Sequence, residues 1–217
     1  ATTSTTMFGL VLGDGASDPI PLKVPPAAYT HPRVSPDGRV LAVGRSEGRD
    51  TDIWMYDLAG KTEFRRLTFE GNNRFPVWSS DSRRITFQSG REGDQAIWWQ
   101  PVNGGGAQRL TRPSQGEEHV PESWSPDGRY LLFTVAKGST WPPKQGPCSC
   151  SLWVLTLEGR KTEPLGEASS GNVNLLSATF SPDGRWIAYS VTRGEASSPE
   201  RGVFVEPFPP TGEKHQA

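Results

Sequence analysis

Three histidines (His31, His119 and His215) and two cysteines (Cys148 and Cys150) are the side chains of this 217-residue sequence best suited to hold a metal or pass a proton. The cysteines stand one residue apart in Pro147-Cys-Ser-Cys150, too close for an easy intrachain bridge and too few for a disulfide framework. Two thiolates could supply half of a tetrahedral zinc site, but the remaining ligands would have to come from scattered histidines. Free thiols in a loop, with no metal and no cofactor, are the expectation. The sequence holds no His-Glu-x-x-His, no Gly-rich phosphate loop with its Lys and no kinase catalytic loop, so intrinsic catalysis is not expected. The nearest imitation of a phosphate loop, Asn103-Gly-Gly-Gly106, falls between two strand-like runs, where no helix N-terminus would face an anion.

What could position such side chains is set by composition. Hydrophobic residues make up 34% of the chain, and 24 Gly with 20 Pro break it into short pieces, which suits many strands joined by turns. Eight Trp, nine Phe and four Tyr argue for a packed core rather than disorder. With 23 Lys+Arg against 24 Asp+Glu the net charge is −1, so no overall field favours nucleic acid or an anionic membrane. No apolar run is long enough to span a bilayer, and the first residues lack a signal peptide's charged and apolar regions. The chain begins without Met and reads as a soluble, excised or processed piece of something longer.

A repeat organises the whole chain. Val34-Ser-Pro-Asp-Gly-Arg39, Trp78-Ser-Ser-Asp-Ser-Arg83, Trp124-Ser-Pro-Asp-Gly-Arg129 and Phe180-Ser-Pro-Asp-Gly-Arg185 are spaced by 44, 46 and 56 residues, the period of a four-stranded propeller blade. Leu41, Ile85, Leu131 and Ile187 follow each anchor Ser by six residues, and Val43, Phe87, Phe133 and Tyr189 by eight, which gives a strand with one apolar face. Trp54, Trp98, Trp153 and Phe204 mark a third strand and are expected in the core. In the anchor, Pro presets φ, Asp bonds nearby N–H groups and Gly supplies a positive φ; Ser82 in place of Gly should cost about 1 kcal/mol.

Residues just before each anchor should sit at the entrance of the innermost strand and ring a central channel. They are His31 and Arg33, Asn73 and Arg74, Glu118, His119 and Glu122, then Asn172 and Asn174. Such a ring could take a ligand or a partner's peptide tip, with Arg anchoring anions and carboxylates answering cations; a wet channel mouth would be polar in any case. His31 and His119 fall at nearly equivalent repeat positions and would face each other only across the channel. Trp141, beside two prolines in the long insertion from Gly138 to Cys150, is either a loop binding residue or packs on the body.

These residues resemble the TolB-like, WD-repeat-like β-propellers whose blades carry a Ser-Pro-Asp-Gly-Arg turn. More narrowly, Ile53-Trp-Met-Tyr-Asp57, Arg66-Leu-Thr68, Pro76-Val-Trp-Ser79 and Val203-Phe-Val-Glu-Pro-Phe-Pro209 are similar to the propeller C-terminal to many bacterial serine/threonine kinases. The resemblance implies an all-β fold and a bacterial, extracytoplasmic (periplasmic) sensor or protein-interaction module without catalytic residues of its own. Two other roles stay open: a substrate-gating propeller of a prolyl-oligopeptidase-like hydrolase, or a small-molecule or polysaccharide-binding propeller.

The expected layout is one domain over 1–217: a half-blade at 6–24, blades at 31–68, 73–111 and 119–165, and a partial blade at 175–209. That makes 17 strands, or about 4.25 blades. An incomplete ring leaves unpaired strand edges, so the chain should be either a truncated propeller or one completed by self-association with another copy. The partner expected is a protein or peptide, with no nucleic acid and no membrane insertion.

Overall fold

The computed structural model describes residues 6–13, 18–48, 50–138, 149–165, 174–193 and 200–216. Their regular structure is antiparallel β-sheet plus one 3-10 turn at Glu158–Arg160. A short hairpin, β1 (Val11–Leu12) and β2 (Ile20–Pro21), comes first. Four four-stranded sheets follow, each running from its innermost to its outermost strand in chain order. Blade I is β3 (Ala28–Val34), β4 (Val40–Glu47), β5 (Asp50–Asp57) and β6 (Arg65–Arg66). Blade II is β7 (Arg74–Trp78), β8 (Arg84–Ser89), β9 (Ala96–Pro101) and β10 (Gln108–Arg109). Blade III is β11 (Glu117–Trp124), β12 (Tyr130–Lys137), β13 (Ser149–Thr156) and β14 (Lys161–Pro164). Blade IV is β15 (Asn174–Phe180), β16 (Trp186–Arg193), β17 (Glu200–Pro207) and β18 (His215–Gln216).

The all-β, repeat-based architecture agrees with the sequence pattern, but the strand count does not. β18 pairs with β17 through Phe204↔Gln216 and Val205↔His215, so blade IV has a fourth strand where only three were expected. Its two residues are polar and exposed, unlike the Leu-Thr ends of the earlier blades, and so gave no periodic signal.

Every anchor forms the same turn. The Ser hydroxyl donates to the Asp two residues on, at 2.5 Å for Ser35 and Asp37 and at 2.6 Å in the other three, while the Arg N–H donates to the same carboxylate. These hydroxyl donors hold Asp37, Asp81, Asp127 and Asp183 below the usual carboxylate range. Gly38, Gly128 and Gly184 occupy the left-handed region, and Ser82 takes it at φ 59 in blade II as the degenerate motif requires.

Between the sheets, alternate residues interleave. Ala42, Ile53, Met55 and Leu67 of blade I pack on Trp78, Ile85, Phe87 and Trp98 of blade II. Val77, Ile97, Trp99 and Leu110 repeat the arrangement against blade III, and Leu132, Leu152, Val154 and Leu165 against blade IV. The core is thus a series of blade-on-blade interfaces rather than one central mass.

Candidate functional site

Each innermost strand breaks its ladder at the same place. Register shifts fall between Thr30 and Arg33 in β3, Arg74 and Val77 in β7, Pro121 and Ser123 in β11, and Leu175 and Ala178 in β15. In blades I and II the first bulged residue adopts a positive φ, 51° at His31 and 54° at Phe75, and Pro follows each. A left-handed non-glycine residue costs roughly 1–2 kcal/mol, and bulges of this kind re-aim side chains. Here they bring the His31 ring edge-on to Phe75 of the next blade, with centroids 4.5 Å apart.

Past the bulges, the turn-side ends of the four inner strands line an open cavity of about 470 Å³. Blade I contributes Arg33, Val34 and Pro36, and blade II Val77, Trp78 and Ser80. Glu122, Ser123, Trp124 and Pro126 come from blade III, and Thr179 and Pro182 from blade IV. The indoles are fixed by cross-blade bonds: Trp78 Nε1 donates to the Arg33 carbonyl and Trp124 Nε1 to Thr86 Oγ1, both at 2.9 Å. Their N–H groups are spent, so what they offer the cavity is carbon.

Glu122 is half-buried. Its Oε1 accepts from Thr134 Oγ1 at 2.8 Å, and the carboxylate also takes the Ala178 N–H. Burial pushes its carboxyl up to about 7 against the opposing pull of these donors and of Arg33. Arg33 is exposed, and the only hydrogen bond of its side chain among the described residues runs from NH1 to the Pro32 carbonyl at 3.0 Å.

Of the channel residues expected from the sequence, Arg33 and Glu122 meet in this cavity. His31, Arg74 and Glu118 are half-buried further along the inner strands. Burial, then Arg33 and Arg74, lower the His31 pKa; burial raises that of Glu118 while Arg74 opposes it. Two residues are placed differently from the expectation. Asn73 is fully buried between blades, where its amide donates to Asp52 Oδ1 and the Glu70 carbonyl and accepts from Arg91. His119 is also buried, held at the junction by its own N–H on the Gln95 carbonyl at 2.9 Å and by Gln88 Nε2 on its carbonyl at 3.1 Å. Burial pushes its imidazole down to about 4, so it is neutral and packs on Phe133 at 5.1 Å. His31 and His119 therefore do not converge.

Asn172, Trp141 and Cys148 lie outside the described residues, as does the side chain of Asn174. Cys150 is buried and disulfide-bonded, which corrects the expectation of a free thiol there. No group of three or more His, Cys, Asp or Glu is placed to hold a metal among the described residues.

Sequence reasoning missed two things. Trp78, Trp124 and the turn prolines line the cavity, and the signal was the residue next to each anchor Ser. The string Gly44-Arg-Ser-Glu-Gly48 also has the spelling of a serine-hydrolase elbow. It lies where β4 leads into β5, with Ser46 paired to Thr51 and their hydroxyls 2.9 Å apart. An elbow needs a strand-to-helix turn, and this one joins strand to strand.

Four repeated four-stranded antiparallel blades, stacked face to face around an axial cavity, define a β-propeller architecture. A family model described as the TolB beta propeller domain matches residues 25–198, and the chain belongs to that family. It is 26% identical over 211 residues to "Uncharacterized peptidase YuxL" of Bacillus subtilis, covering 82% of this chain and 32% of that protein. In structure it resembles TolB from Acinetobacter baumannii, with a TM-score of 0.72 at 21% identity over 97% of this chain and 48% of that one. It resembles the putative TolB from Agrobacterium tumefaciens with a TM-score of 0.71 at 18% identity, covering 99% and 74%. The chain thus spans about a third of the peptidase relative.

Proposed function

We propose that the chain is a non-catalytic protein-interaction module that takes a segment of a partner polypeptide into the axial cavity. The observation that carries this reading is the cavity itself: two indoles and several prolines and valines form its wall, with their hydrogen bonds already satisfied. Such a surface gains by apolar contact with a ligand without leaving a polar atom stranded. Attachment to a larger bacterial receptor or kinase, and an extracytoplasmic setting, belong to this proposal on the resemblance described above. A second reading is favoured by the similarity to a protein named as a peptidase: the propeller would then gate substrate for a hydrolase domain elsewhere in the polypeptide.

The test is an NMR titration with a peptide library, following the indole N–H resonances. Bound peptides should shift Trp78 and Trp124 and leave Trp98, which is packed between blades I and II, unmoved. Val34→Glu, at an exposed cavity position, should weaken binding about tenfold with the melting temperature unchanged. Shifts confined to other tryptophans would rule the cavity out.

A further inference from the structure

We propose that the axial cavity selects an anionic ligand, a carboxylate joined to an apolar or aromatic body, and that Glu122 makes this selection pH-dependent. The inference rests on the cavity reading above and adds the chemistry of the occupant.

Polar groups on the wall decide the sign. Ser123 Oγ accepts the Phe180 N–H and lies within bonding distance of the Trp124 carbonyl, and Thr179 Oγ1 donates to the Phe180 carbonyl, each at 3.3 Å. Glu122 is turned onto Thr134 and the Ala178 N–H. Arg33 is the one cation lining the cavity, and it makes no ion pair among the described residues. An incoming carboxylate therefore finds a guanidinium with donors to spare beside two largely buried indoles and the exposed Val34 and Pro36.

The anchor carboxylates Asp37, Asp81, Asp127 and Asp183 follow the lining residues Pro36, Ser80, Pro126 and Pro182 in the chain. Each already accepts its own Ser hydroxyl and Arg N–H, so they stay ionised on both sides of pH 7. Arg33 from β3 is the charged group that acts on Glu122. Arg74 from β7 acts on Glu118 and His31, and His119, on the same strand as Glu122, is neutral and turned into its own blade. Below about pH 7, Glu122 is protonated and leaves Arg33 uncompensated; above it, the carboxylate cancels that charge. Anion binding should therefore weaken as pH rises through 7.

The experiment titrates the chain with the tripeptide acetyl-Gly-Pro-Phe as its free acid and as its C-terminal amide, at about pH 5.5 and about pH 8.5. The free acid should bind about tenfold tighter than the amide at the lower pH, and this preference should shrink several-fold at the higher. Arg33→Gln, at an exposed position, should abolish the preference at both pH values. Glu122→Gln should retain it at the higher pH, and Glu118→Gln should leave the wild-type pH response intact. Equal binding of acid and amide, with shifts at Trp78 and Trp124, would overturn the anion assignment while leaving the cavity reading in place. Shifts confined to residues outside the cavity would overturn both.

Discussion

Blades II and IV carry the same pattern in different surroundings. Ile53, Ile97 and Leu152 stand at one register position of the third strand in blades I, II and III, and all three are 0% exposed because the following blade covers them. Val203 holds that position in blade IV and is 47% exposed. One strand earlier the contrast recurs. Tyr130 of blade III packs edge-on against Phe208 of blade IV at 5.0 Å, while its counterpart Trp186 is 36% exposed. The alternation of apolar residues makes the strand, but only a neighbouring blade buries it, so stability here is a nearest-neighbour property.

The largest effect that could break this comparison comes from truncating the same position in both places. Ile97→Ala should cost about 2–5 kcal/mol, because it removes buried methylenes and leaves a cavity between blades II and III. Val203→Ala should fall within about 0.5 kcal/mol, as exposed substitutions do. Urea denaturation of both variants gives the ratio. Similar losses would mean that blade IV is covered by something that the described residues do not include.

The blades were legible in the sequence because two apolar positions, six and eight residues after the anchor Ser, keep register in all four repeats, and a period of two beside a turn with fixed chemistry has few other readings. The cavity was less so. Its wall is assembled from residues that are far apart in the chain and re-aimed by bulges, and bulges have no periodic signature. Asn73 and His119 were misplaced for a related reason. A polar residue at the start of an inner strand looks like part of a wet mouth, yet inter-blade bonds such as Asn73 N–H to the Thr51 carbonyl at 2.6 Å draw that point inward. Hydrogen bonding satisfies the Asn73 amide and the His119 backbone there, while the His119 imidazole is held by packing on Phe133, so polarity did not report exposure.

A middle-sized effect separates the junctions themselves. Trp124 at the II–III junction donates its indole N–H to Thr86 Oγ1, whereas Phe180 at the III–IV junction has no such donor and uses its backbone N–H on Ser123 Oγ at 3.3 Å. Thr86→Val keeps the shape but leaves a buried indole donor unpaired, at a cost of about 1–3 kcal/mol. Ser123→Ala should cost about 0.5–1.5 kcal/mol, since the neutral bond it removes is long and half-exposed. A double-mutant cycle with Trp124→Phe supplies the check: the Thr86 loss should largely vanish in that background.

The smallest effect tests whether the turns belong to the interfaces at all. Ser82 sits at φ 59 where Gly38, Gly128 and Gly184 sit at φ 71 or 72, so Ser82→Gly relieves a left-handed strain of roughly 1–2 kcal/mol. Against that stand the extra backbone entropy of an unfolded Gly, about 0.5–1 kcal/mol, and the loss of the Asp37 N–H to Ser82 Oγ bond, 3.2 Å and exposed. The expected net is a gain of about 0.5 kcal/mol, read as a higher urea midpoint with an unchanged slope. A loss instead would mean that the Asp37–Ser82 bond across the blade I–II junction outweighs the strain. In that case the turns would count among the blade-on-blade contacts, and the exposed rim would hold part of the stability that the comparison of Ile97 with Val203 assigns to the buried faces.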